Sequence, residues 1–244
     1  MERGLYIAAS GMIAEQVRQD QIANDLANAS TTGYKADRSA QRSFGEMLLQ
    51  NSSTGATIGS LGLGAHIAEI RTDLSQGPLR QTGESLDVAL NGAGFFAVQT
   101  PNGVRYTRDG ELTLDASGRL ATSTGLPVLG TNGQPITVGS ADNLTIAPDG
   151  TVSSGGRSVG TLAVVGLTNP QKQGDTLFSG TPSARPAGTE VVQGSLEGSG
   201  VDPVRTMVDM IASLRAFESS QRVIHAIDDT VGKAVSSVGS ASGN

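Results

Sequence analysis

Few residues in this chain have the types and spacing that reaction chemistry needs. Gly62-Leu63-Gly64-Ala65-His66-Ile67 begins like a dinucleotide-binding turn, but Ile67 stands where the third glycine would approach a pyrophosphate. No helix-forming run with a downstream acid follows it, and no G-x-x-x-x-G-K-[ST] cradle for a triphosphate occurs. Asp87, Asp109, Glu111 and Asp115 could be read as paired carboxylates for glycoside chemistry. Asp109 precedes Gly110, however, which makes it a turn residue first, and Glu111 and Asp115 are four apart on one strand face, as solvated residues are. The two histidines, His66 and His225, have no Asp or His at ligand spacing, and Ser10, Ser43 and Ser85 lack the G-x-S-x-G elbow. Cysteine is absent, which removes disulfides, thiolate catalysis and zinc–thiolate sites. The reading is of a protein with no catalytic, cofactor-binding or metal-binding residues, and not of an enzyme.

The composition agrees. The chain has 244 residues, 33 of them glycine, and its 5 Phe and 3 Tyr with no Trp leave the cores to small aliphatic side chains. A net charge of −6 offers no basic stripe for nucleic acid. No apolar run reaches the length that spans a bilayer, and the first residues lack the apolar segment of a cleavable signal peptide.

The elements follow from periodicity. Leu5, Ala8, Met12, Ile22, Leu26 and Ala29 recur at spacings near three and four, predicting a helix from about Leu5 to Asn28. Glu15 and Gln19 interrupt its apolar face, and Ser30-Thr31-Thr32-Gly33 stops it. At the other end, Met210, Phe217, Ile224, Val231 and Val238 repeat every seven residues, with Met207, Leu214 and Val235 as companions and Ile211 and Ile227 also apolar. Asp202-Pro203 starts this helix. A period of seven predicts a coiled-coil seam against another helix. Between the ends lie short β-rich runs punctuated by Asn102-Gly103, Asp109-Gly110, Ser117-Gly118, Asn132-Gly133 and Asp149-Gly150, the dipeptides of tight hairpins. The expected fold is mixed but mainly β: a central antiparallel β domain, sandwich- or barrel-like, flanked by long terminal helices that pair as a coiled-coil-like layer. Residues 1–34 and 202–244 are read as a discontinuous helical assembly domain, 71–167 as the β domain, and 35–70 and 168–201 as connecting regions. Polar, Gly-rich stretches at 50–64 and 179–200 read as hinges.

Three stretches resemble the bacterial flagellar axial proteins, specifically the basal-body rod proteins of the FlgF and FlgG type. Ala23-Asn24-Asp25-Leu26-Ala27-Asn28 with Thr31-Thr32-Gly33-Tyr34-Lys35 is similar to that family's A-N-N-L-A-N-x-x-T-x-G-F/Y-K signature, with Asp25 in place of Asn. Asp87-Val88-Ala89-Leu90-Asn91-Gly92-Ala93-Gly94-Phe95-Phe96 with Tyr106-Thr107-Arg108-Asp109-Gly110 resembles D-V-A-x-x-G-x-G-F-F and Y-T-R-x-G. Met210-Ile211, Arg215-Ala216-Phe217-Glu218 and Asp228 supply the third. The resemblance implies a structural subunit of the flagellar rod, the hollow shaft that carries torque from motor to hook, with its helices in an inner layer. It further implies self-assembly, contacts with other rod and hook proteins and with the surrounding ring proteins, and export through the flagellar type III apparatus to the cell envelope without a cleaved signal peptide. No nucleic acid, membrane insertion or cofactor is implied. The expected assembly residues are Leu5, Met12, Ile22, Leu26, Met207, Met210, Ile211, Leu214, Phe217, Ile224, Val231, Val235 and Val238. A rival reading is a secreted glycan-binding or glycan-cleaving β domain, for which convergent exposed aromatics would be the mark.

Overall fold

The computed structural model describes residues 2–43, 46–50, 57–62, 64–140 and 143–241. The chain is mainly β, with a helix at each end and a β-rich core. It divides into two compact units: residues 1–26, 37–71 and 203–244 form the first, and residues 27–36 and 72–202 the second.

The first unit contains helix α1 (Glu2–Ala27), strands β1 (Asp37–Ser43), β2 (Glu46–Gln50), β3 (Thr57–Gly62) and β4 (Ala65–Thr72), and helix α2 (Pro203–Ala241). β1 pairs with β4 and β2 with β3. Thus part of the 50–64 stretch read as a hinge is strand: Met47, Leu48 and Leu49 oppose Leu61, Ser60 and Gly59 in an antiparallel ladder. Composition misleads here because glycine and serine between Ile58 and Leu61 conceal a run that pairs through its backbone. Asn51 to Ala56 and Leu63 lie outside the described residues.

The second unit holds β5 (Leu79–Gln81), β6 (Val88–Asn91), β7 (Phe95–Thr100), β8 (Gly103–Thr107), β9 (Leu112–Leu114), β10 (Leu120–Thr122), β11 (Leu144–Ile146), β12 (Thr151–Ser154), β13 (Arg157–Thr161), β14 (Val164–Lys172), β15 (Leu177–Ser183), β16 (Glu190–Gln193) and β17 (Ser195–Glu197). All the strand pairs are antiparallel, and β14, β15, β8 and β7 pair in a closed circuit. β7 shows the period of two: Phe96 and Val98 enter one core with Val88, Leu120, Val152 and Leu162, while Phe95 and Ala97 enter another with Tyr106, Leu129 and Phe178. Residues 168–201, read as a connecting region, supply the end of β14 and all of β15 to β17. β16 pairs with β6 and β17 with β5, so this stretch is strand whose partners lie about a hundred residues earlier. Such pairings leave no local signature.

Most glycines in the expected turns take the left-handed region, including Gly103 at φ 101° and Gly118 at φ 70°. Beside them, Asp115 and Asp149 accept the backbone N–H groups of Ser117 and Thr151. Gly110 is different. It does not adopt a positive φ, and a methyl placed on it would lie 1.6 Å from the Val88 carbonyl oxygen. Asp109-Gly110 is therefore a close crossing of backbones rather than a hairpin turn, held by the Val88 N–H bond to Gly110 O at 2.9 Å.

Gly110→Ala should accordingly cost at least ~3 kcal/mol, the upper range for overpacking. Gly125→Ala, with open space around it but φ at 81°, should cost about 1 kcal/mol. Urea unfolding of the full chain followed by circular dichroism compares the two.

Candidate assembly surfaces and the motif junction

In the second unit, the motif residues meet at one buried carboxylate. Glu197, at the end of β17, is wholly buried. Its Oε1 accepts Lys35 Nζ at 2.6 Å and the Gly77 N–H at 2.8 Å, and its Oε2 accepts Arg108 Nη1 at 2.9 Å. Lys35 and Arg108 are only 1% and 3% exposed. Lys35 Nζ also donates to Ser75 O at 2.6 Å, and Arg108 Nη2 to Gly92 O at 2.8 Å. Desolvation holds the Lys35 ammonium below its usual pKa, against the opposing pull of Glu197.

Backbone bonds complete the junction. Gly33 N–H donates to Glu197 O at 2.8 Å and Gly200 N–H to Tyr34 O at 2.9 Å, so the segment that follows α1 in sequence runs beside the segment that precedes α2. Gly33 has φ 68°, as a helix-stopping glycine should, and a second requirement: a methyl there would lie 2.5 Å from the Arg108 carbonyl carbon. Tyr34 is fully buried, with Lys172 Nζ 4.0 Å from its ring centre. Arg108 lies 5.3 Å from the Phe95 ring centre, and Phe95 packs on Phe178 at 5.2 Å. The spacing brings Gly33, Tyr34, Phe95, Tyr106 and Arg108 into one neighbourhood. Gly94, at φ 124°, packs against Val164, and Asp87 is buried and bridged to Glu111. Asn28 Oδ1 accepts the Thr31 hydroxyl at 3.1 Å, whereas Asn24 is exposed. Glu197 itself carried no sequence signal beyond being an acid in an apolar strand, Ser195-Leu196-Glu197, just before a helix.

Asp109 is buried beside this crossing, and desolvation, with Glu111 and Asp87 nearby, pushes its carboxyl up to about 6 although it accepts the Glu111 N–H.

In the first unit the helices meet antiparallel through small residues. Gly4 faces Ile227 and Gly11 faces Ser220. Between them and the later turns, Ser213 Oγ donates to Glu15 Oε2 at 2.6 Å, with both residues buried. Glu15, read as an interruption, is thus a polar contact at the centre of the pair. The row of α2 that meets α1 is Ser213, Ser220 and Ile227, one position before the expected companion row. A row with serine at two of its three positions escapes a search for apolar heptads. The expected companions Met207, Leu214 and Val235 are exposed, as are Leu5, Ile211 and Val231. Met210, Phe217, Ile224, Met12 and Leu26 are half-buried and Ile22 is buried, while the side chain of Val238 lies outside the described residues. Asp25, where the family signature has Asn, keeps the acceptor role: its Oδ1 receives the Asp37 N–H at 3.3 Å and so fixes the start of β1.

The rival chemistry finds little support. Tyr34, Phe95, Phe96, Tyr106 and Phe178, five of the eight aromatic residues, are buried and cannot form a sugar-stacking platform. Among the described residues no cluster of His, Asp and Glu could hold a metal ion, and no helix is long and apolar enough to cross a membrane.

Comparison with known proteins follows the same segments. A family profile described as flagella basal body rod protein matches residues 5–35, one described as the flagellar hook protein FlgE/F/G D1 domain matches 89–154, and one described as the flagellar basal body rod FlgEFG protein C-terminal matches 192–237. The chain is 36% identical to the flagellar hook-basal body complex protein FlhO of Bacillus subtilis, covering 98% of this chain and 99% of that one. It is 34% identical to the flagellar basal-body rod protein FlgF of Caulobacter vibrioides, covering 92% and 93%, and 34% identical to FlgF of Salmonella typhimurium, covering 96% and 97%.

Two predictions test the junction. Glu197→Gln keeps the shape but leaves two buried cations uncompensated, so unfolding free energy should fall by about 3–5 kcal/mol. Adding Lys35→Met should recover part of that loss, as a double-mutant cycle by urea unfolding will read. For Asp109, the native state holds the proton more tightly than the unfolded chain, so stability should fall as pH rises from about 4 to 6 and level off above. Asp109→Asn should remove that slope and gain about 2 kcal/mol at pH 7.5, measured by thermal and urea unfolding across pH.

Proposed function

This chain belongs to the flagellar basal-body rod protein family and is a structural subunit of the rod; from that premise we propose how it does its work. The exposed apolar residues of α1 and α2 are the assembly surface, and the second unit is a stiff body of its own. The observation that carries this reading is apolar exposure on both helices: Leu5, Tyr6, Ile7, Ile13 and Val17 on α1, and Val204, Met207, Val208, Ile211 and Leu214 on α2. A surface of that kind marks a partner-binding site rather than a solvated helix.

In this reading, copies of the chain and other axial proteins cover these faces, and the coiled-coil-like layer forms between subunits as well as within one. The closed circuit of β7, β8, β14 and β15 gives the second unit barrel-like rigidity. Torque passes through many packed side chains at once, which needs no catalysis and no cofactor. Export through the flagellar type III apparatus fits a chain without cysteine, and contacts with surrounding ring proteins fall to the β surface. The junction at Glu197 has a mechanical consequence within the second unit: the segment that follows α1 in sequence and the segment that precedes α2 are bonded to one another, so a pull on either is borne by both.

Leu214→Asp places a charge on the exposed face without touching the Glu15–Ser213 contact. A strain carrying it at normal protein level should lose swimming, and the purified variant should keep the circular dichroism and unfolding midpoint of the parent. Wild-type swimming speed at normal protein level would remove this face from the assembly surface.

A further inference from the structure

The seam between α1 and α2 does not select its own register. The row of α2 that meets α1 continues at steps of seven through Thr206, Ser213, Ser220, Ile227 and Ala234, and its counterparts on α1 are Gly4, Gly11 and Glu15. Seven residues are nearly two full turns, so this row keeps to one face. In the observed register Gly4 faces Ile227, Gly11 faces Ser220, and Glu15 Oε2 accepts Ser213 Oγ at 2.6 Å. Sliding α2 by one heptad, about 10 Å, offers Glu15 another hydroxyl in either direction. One slip brings Ser220 to Glu15, Ile227 to Gly11 and Ala234 to Gly4. The other brings Thr206 to Glu15, Ser213 to Gly11 and Ser220 to Gly4. The glycines have no side chains with which to choose among these neighbours. A buried polar group fixes the register of paired helices when one partner alone satisfies it. Here a hydroxyl recurs at every step, so the register is decided elsewhere.

The connections to the two helices supply what the seam lacks. After α1, Thr31 N–H donates to Asn28 O at 3.1 Å and Tyr34 N–H to Thr31 O at 3.3 Å, which takes up the slack between Ala27 and Gly33. Before α2, Gly200 N–H donates to Tyr34 O at 2.9 Å and buried Val201 donates its N–H to Ser199 Oγ at 3.2 Å. Val201 and Asp202 alone separate Gly200 from Pro203, and so short a connection has no slack of ~10 Å to give. Both connections are tied at one residue: Glu197 O accepts the Gly33 N–H at 2.8 Å, and its carboxylate holds Lys35 and Arg108.

We propose that the Glu197 junction sets the register in which α1 and α2 of one chain pair. Glu197, Gly33 and Gly200 are positioning residues that act through the two connections. The proposal concerns pairing within a chain and stands apart from the assembly surface described above, so either can fail without the other. Its consequence is that a buried motif in the second unit gives every copy of the chain the same helix pair, with the same residues side by side on its outer faces.

Register is read by disulfide trapping, because the chain has no cysteine of its own. Gly11→Cys with Ser220→Cys reports the observed register: a Cβ at Gly11 lies 3.8 Å from Ser220 Oγ, within disulfide reach. Gly11→Cys with Ile227→Cys and Gly4→Cys with Ser220→Cys report the two slips. Each pair is placed in the full chain with the junction unaltered, with Glu197→Gln, and with four glycine and serine residues inserted between Asp202 and Pro203. The insert reaches roughly 13 Å when extended, more than one heptad, and leaves the junction as it is. After oxidation at high dilution, non-reducing electrophoresis separates bridged single chains from bridged dimers. With the junction unaltered, the observed pair should bridge and the slipped pairs should stay reduced. With the insert, at least one slipped pair should bridge as well, while the urea midpoint of the second unit stays that of the parent, and Glu197→Gln should show the same loss of register. An insert variant that bridges only between positions 11 and 220 overturns the proposal, because the seam then sets its own register. Slipped bridges in the unaltered chain also overturn it, because the junction then fixes nothing. Should Glu197→Gln fail to fold, the insert variant decides.

Discussion

Two cations and one carboxylate, all withdrawn from water, set the frame of the second unit. Removing Lys35, Arg108 and Glu197 from solvent is tolerable only because each is hydrogen-bonded at 2.6 to 2.9 Å and because Glu197 serves both cations at once. The carboxylate lies 162 positions from Lys35 and 89 from Arg108 in sequence, so no local folding step can satisfy it. The arrangement therefore forms only when the β strands have paired and both chain segments flanking them have been brought in. Much else is consequent on it. Gly33 must lack a side chain because the backbone at Arg108 lies against it, Tyr34 is sealed beneath Lys172, and Phe95 supports the guanidinium from the other side.

The first unit follows a different rule. Its helix pair is closed by glycine, serine and one buried Glu–Ser hydrogen bond, which permits close approach but removes little apolar surface from water. Ordering a residue costs about 1–2 kcal/mol, and a helix pair with so small an apolar seam recovers less than its length demands. The apolar side chains that would close the difference point outward. A protein that stores its hydrophobic area on outer faces gains order when those faces are covered, which suits a subunit whose stable state is an assembly.

Relatives of the rod family match over nearly the whole length, and the three matched profiles fall on the first helix with its stop signal, the strands from β6 to β12, and the last strands with the second helix. The signature residues of the first two segments mostly serve the junction rather than the outer surface. Gly33, Tyr34, Phe95, Tyr106 and Arg108 are buried, so the pattern that identifies the family records a packing requirement.

The sequence by itself determined the elements whose cause is local. A helix ending near Ala27, a second beginning at Pro203, the β7–β8 hairpin with its Asn102-Gly103 turn, and the turns at Gly118, Gly133 and Gly150 follow from periodicity, capping and positive-φ glycine, each acting over a few residues. Only the tertiary structure decided the rest. Glu197 is an unremarkable acid until Lys35 and Arg108 arrive beside it, Gly110 looks like a turn until Val88 crosses it, and Glu15 breaks an apolar row until Ser213 faces it. β16 and β17 sit in a stretch whose glycines and prolines read as linker, because their strand partners lie far upstream. In each case the decisive neighbour is distant along the chain, and periodicity carries no record of distant neighbours. Burial, which gives a charge or a missing Cβ its meaning, exists only once the chain has closed on itself.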